Sequence, residues 1–103
     1  VIVDENGYQA MGRTADVLGL GSVQSKFESF GFEALTVDGH DEMAINDAIN
    51  RLWESPSASP KALVARTVKG KGVPFMENNN IWHYTRLDAE TYARALSAVA
   101  GSE

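Results

Sequence analysis

Apolar residues along this chain recur with two spacings, one suited to strands and one to helices. "VIVDENG" opens with three β-branched apolar residues and runs into Asp-Glu-Asn-Gly, the pattern of a buried strand that ends in a turn. Residues 32–39, "FEALTVDG", repeat that form, and residues 62–68, "ALVARTV", are an apolar run of strand length behind the Pro/Ser loop "SPSASPK". Helical spacing fills the intervals. Ser22 is a good N-cap for "VQSKFESFG", where Val23, Phe27 and Phe30 share a face and Gly31 stands where helices commonly stop. Asp41 can cap "EMAINDAINRLWES", whose Ile45, Ala48, Ile49 and Leu52 form one stripe. Asp88 can cap "AETYARALSAV", with Tyr92, Leu96 and Val99 aligned before Gly101. "YQAMGRTADVLGLG" holds neither period and reads as a loop.

Strands that alternate with helices pair in parallel through right-handed crossovers, so the pattern predicts an α/β fold, a three-layer parallel sheet with helices on both faces. About three strands make a small sheet beside the usual four to six. The expectation is therefore part of a larger domain, cut just before or inside a strand, in a chain that begins Val-Ile-Val without an initiator Met. Exposed edges of such a sheet call for a covering partner.

A chain of 103 residues holds one domain at most, and its composition, 44% hydrophobic and 22% charged, is that of an ordinary soluble globular protein. Fourteen acidic against nine basic residues give a net charge of −5, which disfavours nucleic acid as a partner. No apolar run approaches the roughly 20 residues that span a bilayer, and no secretory leader pattern is present. The absence of cysteine excludes disulfides, zinc–thiolate sites and thiol catalysis, and suits a cytoplasmic protein.

In a parallel α/β sheet, ligands sit beyond the carboxyl ends of the strands, which directs attention to "DENGY", "DGHDE" and "KGKGVPFMENNNIWH". Asp4, Glu5 and Asn6 offer hard oxygen ligands suited to magnesium, and equally the self-hydrogen-bonding chemistry of a turn. His40 precedes a helix cap, where turn and capping roles explain it. Lys69 and Lys71 among glycines can bring ammonium groups and backbone N–H donors to an anion, or can form a flexible basic hairpin; no Walker-type phosphate loop is present. Asn78, Asn79 and Asn80 fit a polar turn, and Trp82 fits a core anchor whose N–H finds a partner. His83, between that Trp and Tyr84, could donate to a phosphate or to a reacting oxygen.

Taken together and in order, "VDENGYQAMG", "FGFEALTVDGHD" and "ARTVKGKGVPFMENNNIWH" resemble the transketolase family of thiamine diphosphate enzymes. The likeness runs from Val3 to about Leu96 and covers the second half of the family's N-terminal, diphosphate-binding domain, so residues 1–103 are expected to be its C-terminal part. The resemblance implies thiamine diphosphate and Mg²⁺ as cofactors. It matches Asn6 to the Asn that gives its side-chain oxygen to Mg²⁺, and Tyr8 to the position whose backbone carbonyl is a second ligand. Lys69 matches the lysine that reaches the diphosphate, and His83 the histidine between diphosphate and substrate, hence both cofactor-binding and catalytic. Lys71, His40 and the Asn run carry no family role.

The family's Gly-Asp-Gly motif, which supplies the other magnesium ligand, is not in this sequence, and the Glu that activates the aminopyrimidine belongs to the family's pyrimidine-binding domain. The implied partners are the chain or chains carrying those parts, with a sugar phosphate or another two-carbon donor and an aldehyde acceptor. Transketolases usually place Gly after Trp-His where this chain has Tyr84, which bears on sugar specificity. The implied activity is transfer of a two-carbon ketol unit from a ketose to an aldehyde, with the chain inactive alone. Transfer to a carrier-bound acceptor is a variant of it. The rival from another class is a non-catalytic interaction module that keeps the fold; loss of Asn6, Lys69 or His83 would favour it, and all three are present.

Overall fold

The computed structural model describes residues 1–101. Along the chain the elements are β1 (Ile2–Glu5), β2 (Tyr8–Gln9), β3 (Gly12–Arg13), α1 (Thr14–Val17), α2 (Val23–Ser29), β4 (Glu33–Asp38), α3 (Glu42–Glu54), β5 (Lys61–Arg66), a 3-10 turn (Asn80–His83) and α4 (Ala89–Ala100). They fall into two compact units: residues 1–6 with 19–67, and residues 7–18 with the chain from Val68 onward.

The first unit is the α/β layer the pattern predicts. Its sheet has the order β1-β5-β4 with both pairs parallel. The apolar run at β5 takes the centre, and Ala62, Leu63 and Val64 are buried because both faces there are covered. Alternation along the strands sorts the two faces. Leu63, Leu35 and Val37 receive Ile45, Ala48 and Leu52 of α3 on one side. On the other, Thr36 Oγ1 donates to Gln24 Oε1 of α2 at 2.7 Å. The chain steps from β1 over β5 to β4 and then back to β5, and right-handed crossovers in opposite directions put their helices on opposite faces.

The predicted caps form as read. Ser22 Oγ accepts from the Ser25 N–H at 3.1 Å, Asp41 Oδ1 accepts from the Ala44 N–H at 3.0 Å, and Gly31 takes the left-handed conformation (φ 83°) after α2. At the amino-terminal edge of the sheet, the Lys61 ammonium and the Ser55 hydroxyl both donate to Glu33 Oε2, joining the starts of β4 and β5 to the end of α3. The lysine bond first, then the serine bond, hold the Glu33 carboxyl below the usual carboxylate range.

The second unit departs from the sequence expectation in two places. The stretch read as a loop contains the hairpin β2-β3 and the single-turn helix α1. Two-residue strands are too short to display a period, and the turn residues Ala10 and Met11 lack the Asn-Gly or Asp-Gly character that marks tight hairpins. In α4 the cap is as predicted, with Asp88 and Thr91 forming a reciprocal capping box, but the buried residue is Ala95. Tyr92, Leu96 and Val99, the residues aligned by spacing, are each more than half exposed. The helix instead presents Arg94 to the Phe75 ring, 4.7 Å from its centroid. No helix among the described residues is long and apolar enough to cross a membrane.

Candidate functional site

In the first unit the three strands end in register, with Glu5 beside Arg66 and Arg66 beside Asp38, so the residues that follow emerge along one edge. Asn6 is the half-buried residue that leaves β1 there. Its neighbours are already engaged: Thr67 Oγ1 donates to Asp4 Oδ1, and Arg66 Nε donates to Glu5 Oε2 at 3.3 Å. Of the three oxygen-bearing residues singled out in "DENG", two are thus ties between strand ends. Gly39 leaves β4, and its N–H donates to the Arg66 carbonyl at 2.7 Å. A Cβ at Gly39 would lie 2.5 Å from the Thr67 methyl and 3.0 Å from the Arg66 carbonyl oxygen, so this approach requires glycine. His40 is exposed, and its N–H donates to Asp38 Oδ1, the turn role expected of that segment.

The second unit contains Tyr8, Lys69 and His83. In the hairpin, the Thr14 N–H donates to the Gly7 carbonyl at 2.8 Å, and Tyr8 stands opposite Arg13. Hydrogen-bonded and non-bonded pairs alternate in an antiparallel ribbon, so the Tyr8 carbonyl points away from the ladder. Lys69 begins a loop that is ordered by its own backbone. The Asn78 N–H donates to the Lys69 carbonyl at 2.9 Å, the Val73 N–H to Gly70 at 3.1 Å, and the Gly72 N–H to Glu77 Oε1 at 3.0 Å. Gly70 has φ 72°, and a Cβ there would approach the Met76 backbone to 2.6 Å. The "KGKG" segment is therefore a tight set of turns, not a loose hairpin. Among the described residues the ion pairs are Arg13–Asp16, Lys61–Glu33 and Arg66–Glu5, and Lys69 takes part in none of them.

The asparagine run separates into three structural roles. Asn78 adopts φ 52°, a conformation Asn tolerates better than most residues. Asn79 Oδ1 caps the 3-10 turn by accepting from the Ile81 N–H at 3.2 Å. Asn80 Nδ2 donates to the Ala10 carbonyl at 3.1 Å, tying the turn to the β2-β3 hairpin, while its Oδ1 is buried with no donor. Trp82 is the anchor its composition suggests: Nε1 donates to the Phe75 carbonyl at 3.2 Å, and the two rings meet edge to face at 5.4 Å. His83 ends this turn and is exposed. Reading the sequence missed Thr67 and Gly39, since neither belongs to a motif; only their position after strands marks them.

The comparisons with known proteins bear on family and fold. The model of the family described as "Transketolase, thiamine diphosphate binding domain" matches residues 1–101. The chain belongs to the transketolase family. It is similar to one subunit of the apulose-4-phosphate transketolase of Phocaeicola vulgatus, 34% identical over 99 residues that are 96% of this chain and 35% of that protein. It is also similar to the 6-deoxy-6-sulfo-D-fructose transketolase subunit SqwG of Clostridium sp., 28% identical over 91% of this chain and 34% of that protein. The crystal structure of the transketolase from Campylobacter jejuni superposes with a TM-score of 0.83 at 28% identity, covering 96% of this chain and 15% of that one. The chain thus spans about a third of the length of these two subunits. The family's matching domain is one that binds thiamine diphosphate.

The donor set suits that cofactor and a magnesium ion in part. Each taken by itself, the Asn6 amide oxygen and the Tyr8 backbone carbonyl are hard oxygens of the kind magnesium takes, and a lysine among glycines is of the kind that pairs with phosphate. Among the described residues no group of three or more His, Cys, Asp or Glu could hold a metal.

Proposed function

We propose that residues 1–103 are the C-terminal part of the diphosphate-binding domain of a transketolase-type transferase, which moves a two-carbon ketol unit from a ketose donor to an aldehyde acceptor. One observation carries this reading: the match to the family's thiamine diphosphate-binding domain runs from residue 1 to residue 101 and takes in every candidate residue. Thiamine diphosphate, when bound, supplies the carbanion-stabilising chemistry of the transfer. The protein's share is positioning and charge.

In this reading the Asn6 amide oxygen and the Tyr8 carbonyl are magnesium ligands, and the Lys69 ammonium neutralises diphosphate charge. His83 donates a hydrogen bond between diphosphate and substrate, with Trp82 holding its turn through the bond to Phe75. Partner chains supply the Gly-Asp-Gly half of the magnesium site and the pyrimidine-binding domain, and the chain is inactive without them. Relatives named as subunits of transketolases support a multi-chain enzyme, and their named substrates, a sugar phosphate and a sulfo-sugar, support an anionic ketose donor.

The test is calorimetric titration of Mg²⁺–thiamine diphosphate into the complex reconstituted with the chain that carries Gly-Asp-Gly. Binding is expected in the complex and not in the isolated chain, with Asn6→Ala plus Lys69→Ala weakening it at least tenfold. His83→Ala should lower two-carbon transfer more than it lowers cofactor affinity. Unchanged binding by the double variant would overturn the site assignment, and unchanged turnover would remove His83 from it.

A further inference from the structure

Asn6 leaves a strand whose last backbone rung is weak. The Thr67 N–H reaches the Glu5 carbonyl at 3.4 Å, at the long limit for a hydrogen bond, whereas the Gly39 N–H holds the Arg66 carbonyl at 2.7 Å on the other side of β5. The end of β5 is thus held to the turn after β4, and the backbone alone holds the end of β1 poorly. Side chains make up the difference, one on each face of the sheet. Asp4 shares its face with Ala65 and Thr67, and there the Thr67 hydroxyl donates to Asp4 Oδ1. Glu5 shares the opposite face with Arg66, whose Nε donates to it at 3.3 Å. Two ties on opposite faces resist rotation of the strand end about its own axis, and that rotation is what would swing the next side chain.

The ties are unequal. Arg66 is 73% exposed, and an exposed ion pair contributes little. Thr67 is half-buried, with its methyl packed where a Cβ on Gly39 would come within 2.5 Å, while its bond to Asp4 lies at the surface. We infer that Thr67 is a positioning residue for Asn6, its hydroxyl holding Asp4 so that the Asn6 amide oxygen is presented to magnesium from a fixed strand end, with Asp4 itself reserved for this tie and not a metal ligand. The inference rests on the assignment of Asn6 as a magnesium ligand made above.

Thr67→Val removes the hydroxyl and keeps the shape, and Thr67→Ser keeps the hydroxyl. In the reconstituted complex, Thr67→Val should weaken Mg²⁺–thiamine diphosphate binding by about fivefold, the size of one lost hydrogen bond, and Thr67→Ser should stay within about twofold of the parent. A second readout is the side-chain amide resonance of Asn6 in the labelled chain, which should shift or broaden in Thr67→Val and return in Thr67→Ser. If Thr67→Val does not fold, the same bond is cut from its other end, at an exposed residue, by Asp4→Ala, with Asp4→Asn as the variant that keeps an acceptor. Asn6→Ala runs in parallel. If Asn6→Ala weakens binding while Thr67→Val binds like the parent, or if serine fails to rescue, Thr67 is no positioning residue. If Asn6→Ala itself has no effect, the magnesium assignment falls and this inference with it.

Discussion

The two units of this chain are held together by different means. In the unit of β1, β4, β5, α2 and α3, order follows from burial: a central strand with Ala62, Leu63 and Val64 out of water, and one helix on each face. In the unit that carries Tyr8, Lys69 and His83, only Val73 and Ala95 are buried apolar residues among those described, and order follows from backbone turns, capping amides and one Trp anchor. A sheet supplies fixed strand ends, and a loop-rich unit brings backbone carbonyls, N–H groups and long polar side chains close to a ligand. The loop that follows β5 holds two glycines and three consecutive asparagines.

The comparison predicts that the two units break differently. Leu63→Ala should have the largest effect, about 2–5 kcal/mol by denaturant unfolding, because Leu63 lies between the side chains of Leu35, Ala48 and Leu52 and is 2% exposed. Protection of β4 and β5 amides against hydrogen exchange should fall with it. A cost under about 1 kcal/mol would mean that this core is less consolidated than its burial implies.

Gly70→Ala attacks the other unit through backbone geometry. A left-handed conformation at a non-glycine residue costs about 1–3 kcal/mol, and here the added Cβ must also displace the Met76 backbone. Gly72 has φ 88° with open space around it, so Gly72→Ala carries the strain without the collision and should cost less. Limited proteolysis within residues 68–79 is the direct readout: faster cleavage in Gly70→Ala than in Gly72→Ala is expected. Equal rates would show that the turn does not depend on close packing at Gly70.

The same contrast governs what could be read from the sequence. Strand runs and the α3 stripe are legible because burial imposes a period, and Ser22, Asp41 and Asp88 are legible because a helix start needs a side-chain acceptor. The order of strands, with β5 in the centre, is set by packing and is not written in any one segment. The hairpin at residues 8–13 and the turn capped by Asn79 leave no period, and in that unit only Trp82 and the Asp88 cap announced their roles. In α4, Tyr92, Leu96 and Val99 have core-like spacing without being the buried face, because spacing shows that a face is apolar and not what covers it. For the candidate site, the strand-end rule pointed to the segments that hold Asn6 and Lys69, and the family resemblance picked those two residues out of them. Thr67, Gly39 and the tie at Asp4 became visible only when three strand ends were found in register.

The smallest expected effect concerns the cap of α4, and pH makes it separable. The side-chain bond from Thr91 first, then its backbone N–H, hold the Asp88 carboxyl below the usual aspartate range. A carboxyl whose folded value is depressed contributes stability above its unfolded value and loses it as pH falls through the folded one. Asp88→Asn keeps a good N-cap and removes the titration. Exchange protection of α4 amides should therefore be similar in parent and Asp88→Asn at neutral pH under moderate salt. As pH falls below the ordinary aspartate range, the parent should lose protection that Asp88→Asn retains, while β5 amides show no such difference between the two. Were the two proteins to lose α4 protection together, the ionised carboxylate would contribute nothing to the cap beyond what a neutral amide provides. The unit that holds His83 and Lys69 would then owe this helix to the Arg94–Phe75 contact rather than to the ionised carboxylate of its cap.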